Sequence, residues 1–563
     1  MSDYLMIICA SDSRGGAGLQ AALAQAALSG EQTECRTILT GCTAQSHIGV
    51  EFSVPMPVSV VDAQINAALN DGRPGAILIG WLPPEQELLD YLLRRIREFD
   101  CPIIWDPVVK ATLGELQDSS SVCDQLRALI AHTHVMTPSL SEARWLLGHG
   151  SMNDKSESGS AGSSNPESEK AIDALEAARK LQALGAHTVM ITGGDSGERE
   201  DFWVTDIVVS RANHDEPETL VLPEFALHQR RLPKSAHGSG SHLSAALAVA
   251  LFHNERLYDA IVLAAVAARQ AISAGTTNLK EADQYANCRA AGVPDDVTDW
   301  PLISASKEQP GAHLESSNLL WESSNLDSGM GLYALTDNIP HLKSLLALGV
   351  DTIQWRVKSP EPDYRQQTIE AIALCSEAGV PFWLNDDWKL AIDLAHDLSV
   401  QSCALTGVHL GQEDLLAADL NALREAGLCF GVSTHTEWEI ARARALNPTY
   451  IAFGPVYTPL SKTLKYPPLG LERLTNWVSR FGQSNVALTC IGGITPANAR
   501  AVAATGIPSL AVVTCLHPDG YKGLSQQENA KALHRALEND RATPITGFTT
   551  VTTDTTGTEY SLG

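Results

Sequence analysis

The sequence predicts two α/β domains in tandem: an open, largely parallel sheet covered by helices, followed by a closed (β/α)8 barrel. Three observations carry this. At 563 residues the chain exceeds what one hydrophobic core organises, so two or more domains are expected. Residues 1–305 alternate short apolar runs with helical patterns, as strands joined by helices do. Residues 330–540 hold eight apolar runs in order with helical patterns between most of them, close to the shortest length a complete barrel takes. Residues 306–329, polar and without periodicity, are expected to be a linker, and residues 541–563 a Thr-rich tail outside the barrel core.

Composition limits the function classes. Hydrophobic residues make up 44% and charged residues 19%, an ordinary globular balance, and no run of about eighteen apolar residues suggests a membrane span. A formal net charge of −26 disfavours nucleic acid and anionic membrane as partners, yet allows an anionic metabolite wherever cations cluster. The cysteines, scattered from Cys9 to Cys515 without a CxxC pair, fit reduced thiols in a cytoplasm better than a disulfide framework or zinc site. The opening MSDYLMIICASDS lacks the features of a secretory signal and reads as a first strand. A cytoplasmic protein acting on small molecules is expected, with a homo-oligomer left open.

In chain order, Tyr4 to Ala10 is the first strand, followed by the loop SDSRGGAG (Ser11 to Gly18) and an Ala/Leu-rich helix. Further strands are expected over Ala76 to Trp81, Pro102 to Val109, Thr133 to Pro138 and His187 to Gly194, with ligands at their carboxyl ends. The Ser/Gly-rich stretch between Gly148 and Lys170 reads as a surface insertion without chemistry. HGSGSH, from His237 to His242, leads straight into a long Ala/Leu helix. Glycines there let backbone N–H groups approach an anion at the positive end of the helix dipole, although the same pattern also serves as a plain helix start.

The eight later runs are GLYALT, DTIQWRV, PFWLND, TGVHL, CFGVST, YIAFGP, ALTCIGG and SLAVVT. Their polar residues gather at run ends, where a barrel of parallel strands places function. Asn385, Asp386 and Asp387 close the third run; Gln412, Glu413 and Asp414 follow the fourth. Carboxylates from two neighbouring strand ends can share one hard cation such as Mg²⁺, which takes one or two of them and fills its shell with water and phosphate oxygens. Acidic residues after a strand also serve simply as helix caps. Gln354, Arg356 and Lys358 alternate with Trp355 and Val357, so a period of two puts all three on one face, where two cations call for an anionic partner. Gly492 and Gly493 end the seventh run and Thr514 the eighth, the recurrent phosphate-binding position of such barrels.

Taken together and in order, SDSRGGAG with Gln20, TAQS at Thr43 to Ser46, IGW at Ile79 to Trp81, DPVV at Asp106 to Val109, TPSLSEA at Thr137 to Ala143, TGGD at Thr192 to Asp195 and HGSGSH resemble the hydroxymethylpyrimidine (phosphate) kinase family, a ribokinase-like α/β sandwich. The resemblance implies Asp12 and Gln45 near a pyrimidine, the backbone of Gly238 to Gly240 around a transferred phosphoryl, and ATP as the nucleotide of this half. Departures accompany it. Ser241 stands where the family's GTGC motif has the cysteine that takes the hydroxyl proton, and an unactivated serine is a poorer base than a thiol of reference pKa about 8.5. His242 is no replacement, because one residue along a helix turns the side chain by about 100°. Ser46 replaces the Asn of the family's AQN, and Ala22 an expected Asp. The resemblance therefore implies an impaired kinase; a working kinase that makes the barrel's substrate, or a non-catalytic pyrimidine-binding or oligomerisation module, are the alternatives.

In the second half Gln354, Arg356, Lys358, NDDW at Asn385 to Trp388, GVHLGQEDL at Gly407 to Leu415, GVSTH at Gly431 to His435, GPV at Gly454 to Val456, Lys462 and IGGI at Ile491 to Ile494 resemble thiamine phosphate synthase, a TIM barrel. That family joins hydroxymethylpyrimidine diphosphate to hydroxyethylthiazole phosphate and releases pyrophosphate. The resemblance implies Mg²⁺ on Asp414 and Asp386 or Asp387, the diphosphate on Arg356, Lys358, Asn385 and Lys462, Ser433 and Gln354 beside the reacting pyrimidine, and Gly493 and Thr514 at the thiazole phosphate. Arg356, Ser433 and Lys462 are the expected catalytic residues. In TPLSK, Thr458 to Lys462, the family more often has Pro before Thr. The family's pyrimidine-methyl cation is quenched by water, so the loop Gly454 to Leu469 is expected to close over it. A thiazole tautomerase competes as a reading, but has no need of the acidic clusters and basic strand. This half carries a full motif set and is expected to act without the first.

Overall fold

In the computed structural model the described residues are 3–28, 33–46, 50–108, 110–111, 114–115, 120–149, 172–194, 202–211, 222–234, 236–275, 286–294, 296–305, 330–397, 405–458, 466–482, 486–519 and 521–541. The expected linker, the 150–170 insertion, most of the tail and Lys462 fall outside them.

Ten strands of the first half form one sheet: β1 (Tyr4–Asp12), β2 (Cys35–Gln45), β3 (Val50–Pro55), β4 (Pro74–Ile79), β5 (Ile103–Trp105), β6 (Val135–Met136), β7 (Thr188–Ile191), β8 (Trp203–Ser210), β9 (Glu224–Arg230) and β10 (Leu302–Ala305). Their order is β10-β9-β8-β7-β6-β5-β4-β1-β2-β3. The stretch from β2 to β7 is parallel and β3, β8, β9 and β10 are antiparallel additions. The parallel strands are covered on both faces, which is why they read as unbroken apolar runs: Met6, Ile7, Ile77 and Ile104 are fully buried. Strand order reverses at β1, with β2 on one side and β4 on the other, leaving a crevice at their carboxyl ends where Asp12 stands. Helix α1 (Gly18–Ala26) starts just after the Ser11 loop, α2 (Ser239–Phe252) starts at the HGSGSH glycines, and α3 (Leu257–Ser273) comes after it.

All eight apolar runs of the second half are strands of a closed parallel barrel: β11 (Leu332–Thr336), β12 (Thr352–Trp355), β13 (Phe382–Asn385), β14 (Leu405–Leu410), β15 (Cys429–Thr434), β16 (Tyr450–Phe453), β17 (Ala487–Ile491) and β18 (Leu510–Val512), with β18 pairing back to β11. Tyr333, Leu335, Trp383, Tyr450 and Ala452 form a small inner core. Gly431 makes room for it, because a Cβ there would stand 2.1 Å from the Tyr450 ring. Between the strands run helices that include α4 (Trp388–His396) after β13, α5 (Glu437–Ala445) after β15 and α6 (Gly470–Phe481) after β16.

The two halves share one apolar cluster. Trp438 of α5, 1% exposed, lies edge-on to Phe225 of β9 at 5.7 Å and against Tyr258 of α3 at 5.3 Å, and its backbone N–H donates to the buried carboxylate of Asp259 at 2.8 Å. Trp300 meets Phe481 at 5.4 Å, and Arg444 donates to the carbonyl of Val297 at 2.9 Å. Burying each large side chain contributes roughly 1.5–3 kcal/mol, so the contact is a substantial part of the fold. Among the described residues no helix is long and apolar enough to cross a membrane.

Candidate active site

The fold separates two neighbouring carboxylates that the sequence could not. Asp386, just past β13, adopts a left-handed backbone (φ 62°) and lies in hydrogen-bonding range of Asp414, with the Asn385 amide on its own Oδ2. Burial first, then the Asp414 charge, pushes its pKa up, opposed by Asn385 and Arg356. Two carboxylates at one point need a proton or a cation between them. Asp387 is used differently: it is the N-cap of α4, accepting the Leu390 N–H at 3.0 Å.

Arg356 begins the loop after β12, where its N–H donates to the Thr336 carbonyl at 2.8 Å and its charge reaches both Asp386 and His409. β12 ends at Trp355, and Lys358 is exposed in the loop. The expected alignment of Gln354, Arg356 and Lys358 on one strand face is corrected accordingly: only Gln354 sits in the strand, because the ladder stops before the two cations.

Gln354 and Ser433 are the ends of one hydrogen-bonded chain through the barrel interior. The Gln354 amide donates to the Tyr333 hydroxyl at 2.8 Å, the Tyr333 and Tyr450 hydroxyls meet at 2.8 Å, Tyr450 meets His409 Nδ1 at 2.6 Å, and His409 Nε2 meets Ser433 Oγ at 2.8 Å. Gln412 adds a bond to the Ser433 carbonyl at 2.8 Å and accepts from Arg442 at 3.0 Å. Burial, then Arg356 and His435, drives the His409 pKa down to about 3, so its ring is neutral, with one nitrogen donating and one accepting. Burial likewise pushes the Tyr333 and Tyr450 hydroxyls above their ordinary range. The chain is uncharged and can orient the Ser433 hydroxyl without delivering a proton of its own. Sequence reasoning does not find Tyr333, Tyr450 and His409. Their only signal is one polar ring at an inward position of each of three apolar runs.

At the other end, Gly492 (φ 108°) and Gly493 (φ 66°) follow β17. The Tyr457 N–H donates to the Gly492 carbonyl at 3.0 Å, and a Cβ on Gly493 would stand 2.7 Å from that of Tyr457, so close approach of two loops requires both glycines. Thr514 is exposed and opens a short 3-10 turn, Thr514–Leu516.

In the first half, the buried Asp12 carboxylate accepts the N–H groups of Arg14 at 2.8 Å, Gly16 at 3.1 Å and Ala17 at 2.9 Å, and meets His237 Nε2 at 3.3 Å. Against the effect of burial, His237 and these donors hold it below the usual carboxylate range. Asp12 thus clamps the glycine loop to the start of α2. Gly238 (φ 95°) lies so close that a Cβ would be 1.8 Å from the Gly16 carbonyl, and Gly240 faces Asp106. Burial, then Glu142, pushes the Asp106 carboxyl up to about 8, against a bond from Ser244. The Gln45 amide donates to Thr43 Oγ1 at 2.8 Å, while its Oε1 is buried without a hydrogen-bond partner. Ser241 Oγ accepts the Gly18 N–H at 3.3 Å. His242 points elsewhere, onto Gln25 at 3.3 Å, with burial driving its pKa down to about 4. Among the described residues no cluster of three or more His, Cys, Asp or Glu is arranged to hold a metal.

The carboxylate pair and the arginine gather at the carboxyl ends of the strands, the face on which (β/α)8 enzymes carry their active sites. A family model described as Thiamine monophosphate synthase matches residues 332–516, and one described as Phosphomethylpyrimidine kinase matches residues 12–285. The Thiamine-phosphate synthase of Rhizobium etli is 43% identical over 183 residues, covering 32% of this chain and 84% of that protein; that of Escherichia coli O157:H7 is 43% identical over 188 residues, covering 33% and 84%. A solved pyridoxal kinase from Staphylococcus aureus in complex with pyridoxal is 20% identical, covering 54% of this chain and 99% of that one at a TM-score of 0.43. The chain belongs to the thiamine-phosphate synthase family through its barrel, a transferase, and carries a phosphomethylpyrimidine kinase domain before it.

Proposed function

We propose that this chain joins hydroxymethylpyrimidine diphosphate to hydroxyethylthiazole phosphate, giving thiamine phosphate and pyrophosphate. The observation that carries the reading is the convergence of Asp386 and Asp414 within reach of the Arg356 charge, in a barrel of that family. Two adjacent carboxylates, too few for an all-protein cage, suit Mg²⁺, which keeps water and phosphate oxygens in its shell. Asp386 and Asp414 would hold the ion, which would supply positive charge against the diphosphate. Arg356 stabilises the charge developing on the diphosphate, helped by Lys358, Lys462 and the Asn385 amide. Gln354 and Ser433, held by Tyr333 and by neutral His409, orient the pyrimidine, while Gly493 and Thr514 bind the thiazole phosphate. The buried interior keeps water from the cationic carbon. Arg356→Ala and Asp414→Ala are each expected to lower turnover at least about tenfold, about 1.4 kcal/mol of transition-state stabilisation. Near-wild-type rates in both would remove the diphosphate from these residues.

For the kinase domain the proposal is that ATP binds but phosphoryl transfer is slow. Ser241 supports this, because its Oγ accepts the Gly18 N–H, and an unactivated serine hydroxyl is a poorer base than a thiolate. General-base assistance contributes about 10²–10⁴ in rate. ATP-dependent formation of the pyrimidine diphosphate from the monophosphate is therefore expected to be weak and to rise in Ser241→Cys. Robust wild-type turnover would instead make the chain a bifunctional enzyme. Free thiols among the described cysteines are consistent with work in the cytoplasm.

A further inference from the structure

Tyr466 lies four residues beyond Lys462, and its ring joins the two domains. It stacks on His435 with centroids 4.4 Å apart and planes 9° from parallel, and the guanidinium carbon of Arg256 stands 4.4 Å from the same ring centroid. Arg256 is the N-cap residue of α3 and belongs to the kinase domain. The Tyr466 hydroxyl donates to Glu439 Oε1 at 2.9 Å. The second oxygen of Glu439, a residue 1% exposed, accepts the His435 backbone N–H at 2.6 Å and its ring Nδ1 at 2.8 Å. His435 follows directly on β15, two residues after Ser433, whose Oγ meets His409 Nε2 at 2.8 Å. Three residues into the kinase-domain helix, Asp259 fixes the start of α5 through the Trp438 N–H, so the α3 N-terminus holds this corner at two points.

We propose that Arg256 is a positioning residue of the synthase site supplied by the kinase domain. Its planar cation on Tyr466 keeps the Tyr466–Glu439–His435 cluster in register at the carboxyl end of β15, and through it the His409–Ser433 pair that faces the pyrimidine. The inference rests on the synthase function proposed for the barrel and adds to it that the barrel's own residues do not complete the site. An arginine on an aromatic ring attracts through charge and planar stacking; lysine keeps the charge and loses the stacking.

The test uses the full-length chain and steady-state synthase kinetics with both substrates, comparing wild type, Arg256→Ala, Arg256→Lys and Arg480→Ala. Arg480 stacks on Trp300 at 5.3 Å elsewhere in the domain contact, and so reports on the contact alone. Arg256→Ala is expected to lower kcat/KM for the pyrimidine diphosphate about two- to thirtyfold, leave the KM for the thiazole phosphate within about twofold, and be partly rescued by Arg256→Lys, while Arg480→Ala keeps wild-type kinetics. Wild-type kcat and KM in Arg256→Ala overturn the proposal. So does a loss shared equally by Arg480→Ala with no recovery in Arg256→Lys, because that pattern is structural. A folded wild-type chain without synthase turnover overturns the synthase function, and this proposal with it, and that failure shows in the wild type before any variant is compared.

Discussion

Asp386 and Asp387 are chemically identical neighbours, and only backbone geometry tells them apart. The left-handed turn at Asp386 directs one carboxylate to Asp414, and the next residue begins a helix that its carboxylate caps. Sequence can name the pair but not divide it, because the division depends on where β13 stops. The same limit hides Tyr333, Tyr450 and His409, whose contact is made only when strands separated by many residues close into a barrel. Asparagine caps a helix about as well as aspartate, so Asp387→Asn is expected to stay within about threefold of wild-type synthase turnover. Asp386→Asn, which removes a carboxylate from the proposed cation site, is expected to lose at least about tenfold. Equal losses in the two variants, measured at saturating substrates, would return Asp387 to the site.

Elements buried on both faces are legible in the sequence and elements on the margin are not. Every barrel strand, and β1, β4, β5, β6 and β7 of the sheet, shows as an apolar run because helices cover them. β2, β3, β8, β9 and β10 escape notice. β2 mixes Thr, Gln and Gly41 into its length and β3 is largely exposed, with Phe52 65% accessible. The antiparallel strands β8 and β9 carry Thr205, Asp206, His228 and Gln229, which hydrogen-bond laterally in place of an apolar pattern. At the start of α2 the glycine motif is legible and its use is not. Gly238 is needed first for close approach to Gly16, a requirement of the fold that stands whether or not a phosphate binds.

For the whole molecule, the sequence suggests a boundary at the polar stretch 306–329, but no pattern in it shows that Trp438 is buried against Phe225 and Tyr258 of the first half. Its helix reads as an ordinary barrel helix until Phe225 and Tyr258 are placed against it. The chain as a unit should also be acid-labile. Burial drives His134, His228 and His242 down to about 4 and His409 to about 3, far below the unfolded value near 6.5. Their stabilisation is full above the unfolded pKa and is lost as pH falls toward the folded one. Asp106 and Asp206, pushed by burial up to about 8 and about 6, act in the opposite direction. Asp386, likewise raised to about 6, joins them, and four histidines against three carboxyls leave the unfolded chain with about one more proton between roughly pH 4.5 and 6, on the order of 1.4 kcal/mol per pH unit. Calorimetric midpoints are expected to fall steadily from pH 6.5 to 4.5 at fixed ionic strength; a flat or rising midpoint would contradict the burial of neutral imidazoles.

The most direct test of the central claim is product formation by the purified full-length chain, given hydroxymethylpyrimidine diphosphate, hydroxyethylthiazole phosphate and Mg²⁺ without ATP, and followed by mass spectrometry. Thiamine phosphate and pyrophosphate are predicted to appear in equal amounts and to vanish when the cation is chelated. A folded chain that yields neither product, or that yields them undiminished in the presence of chelator, would contradict the assignment of Asp386, Asp414 and Arg356 to the diphosphate.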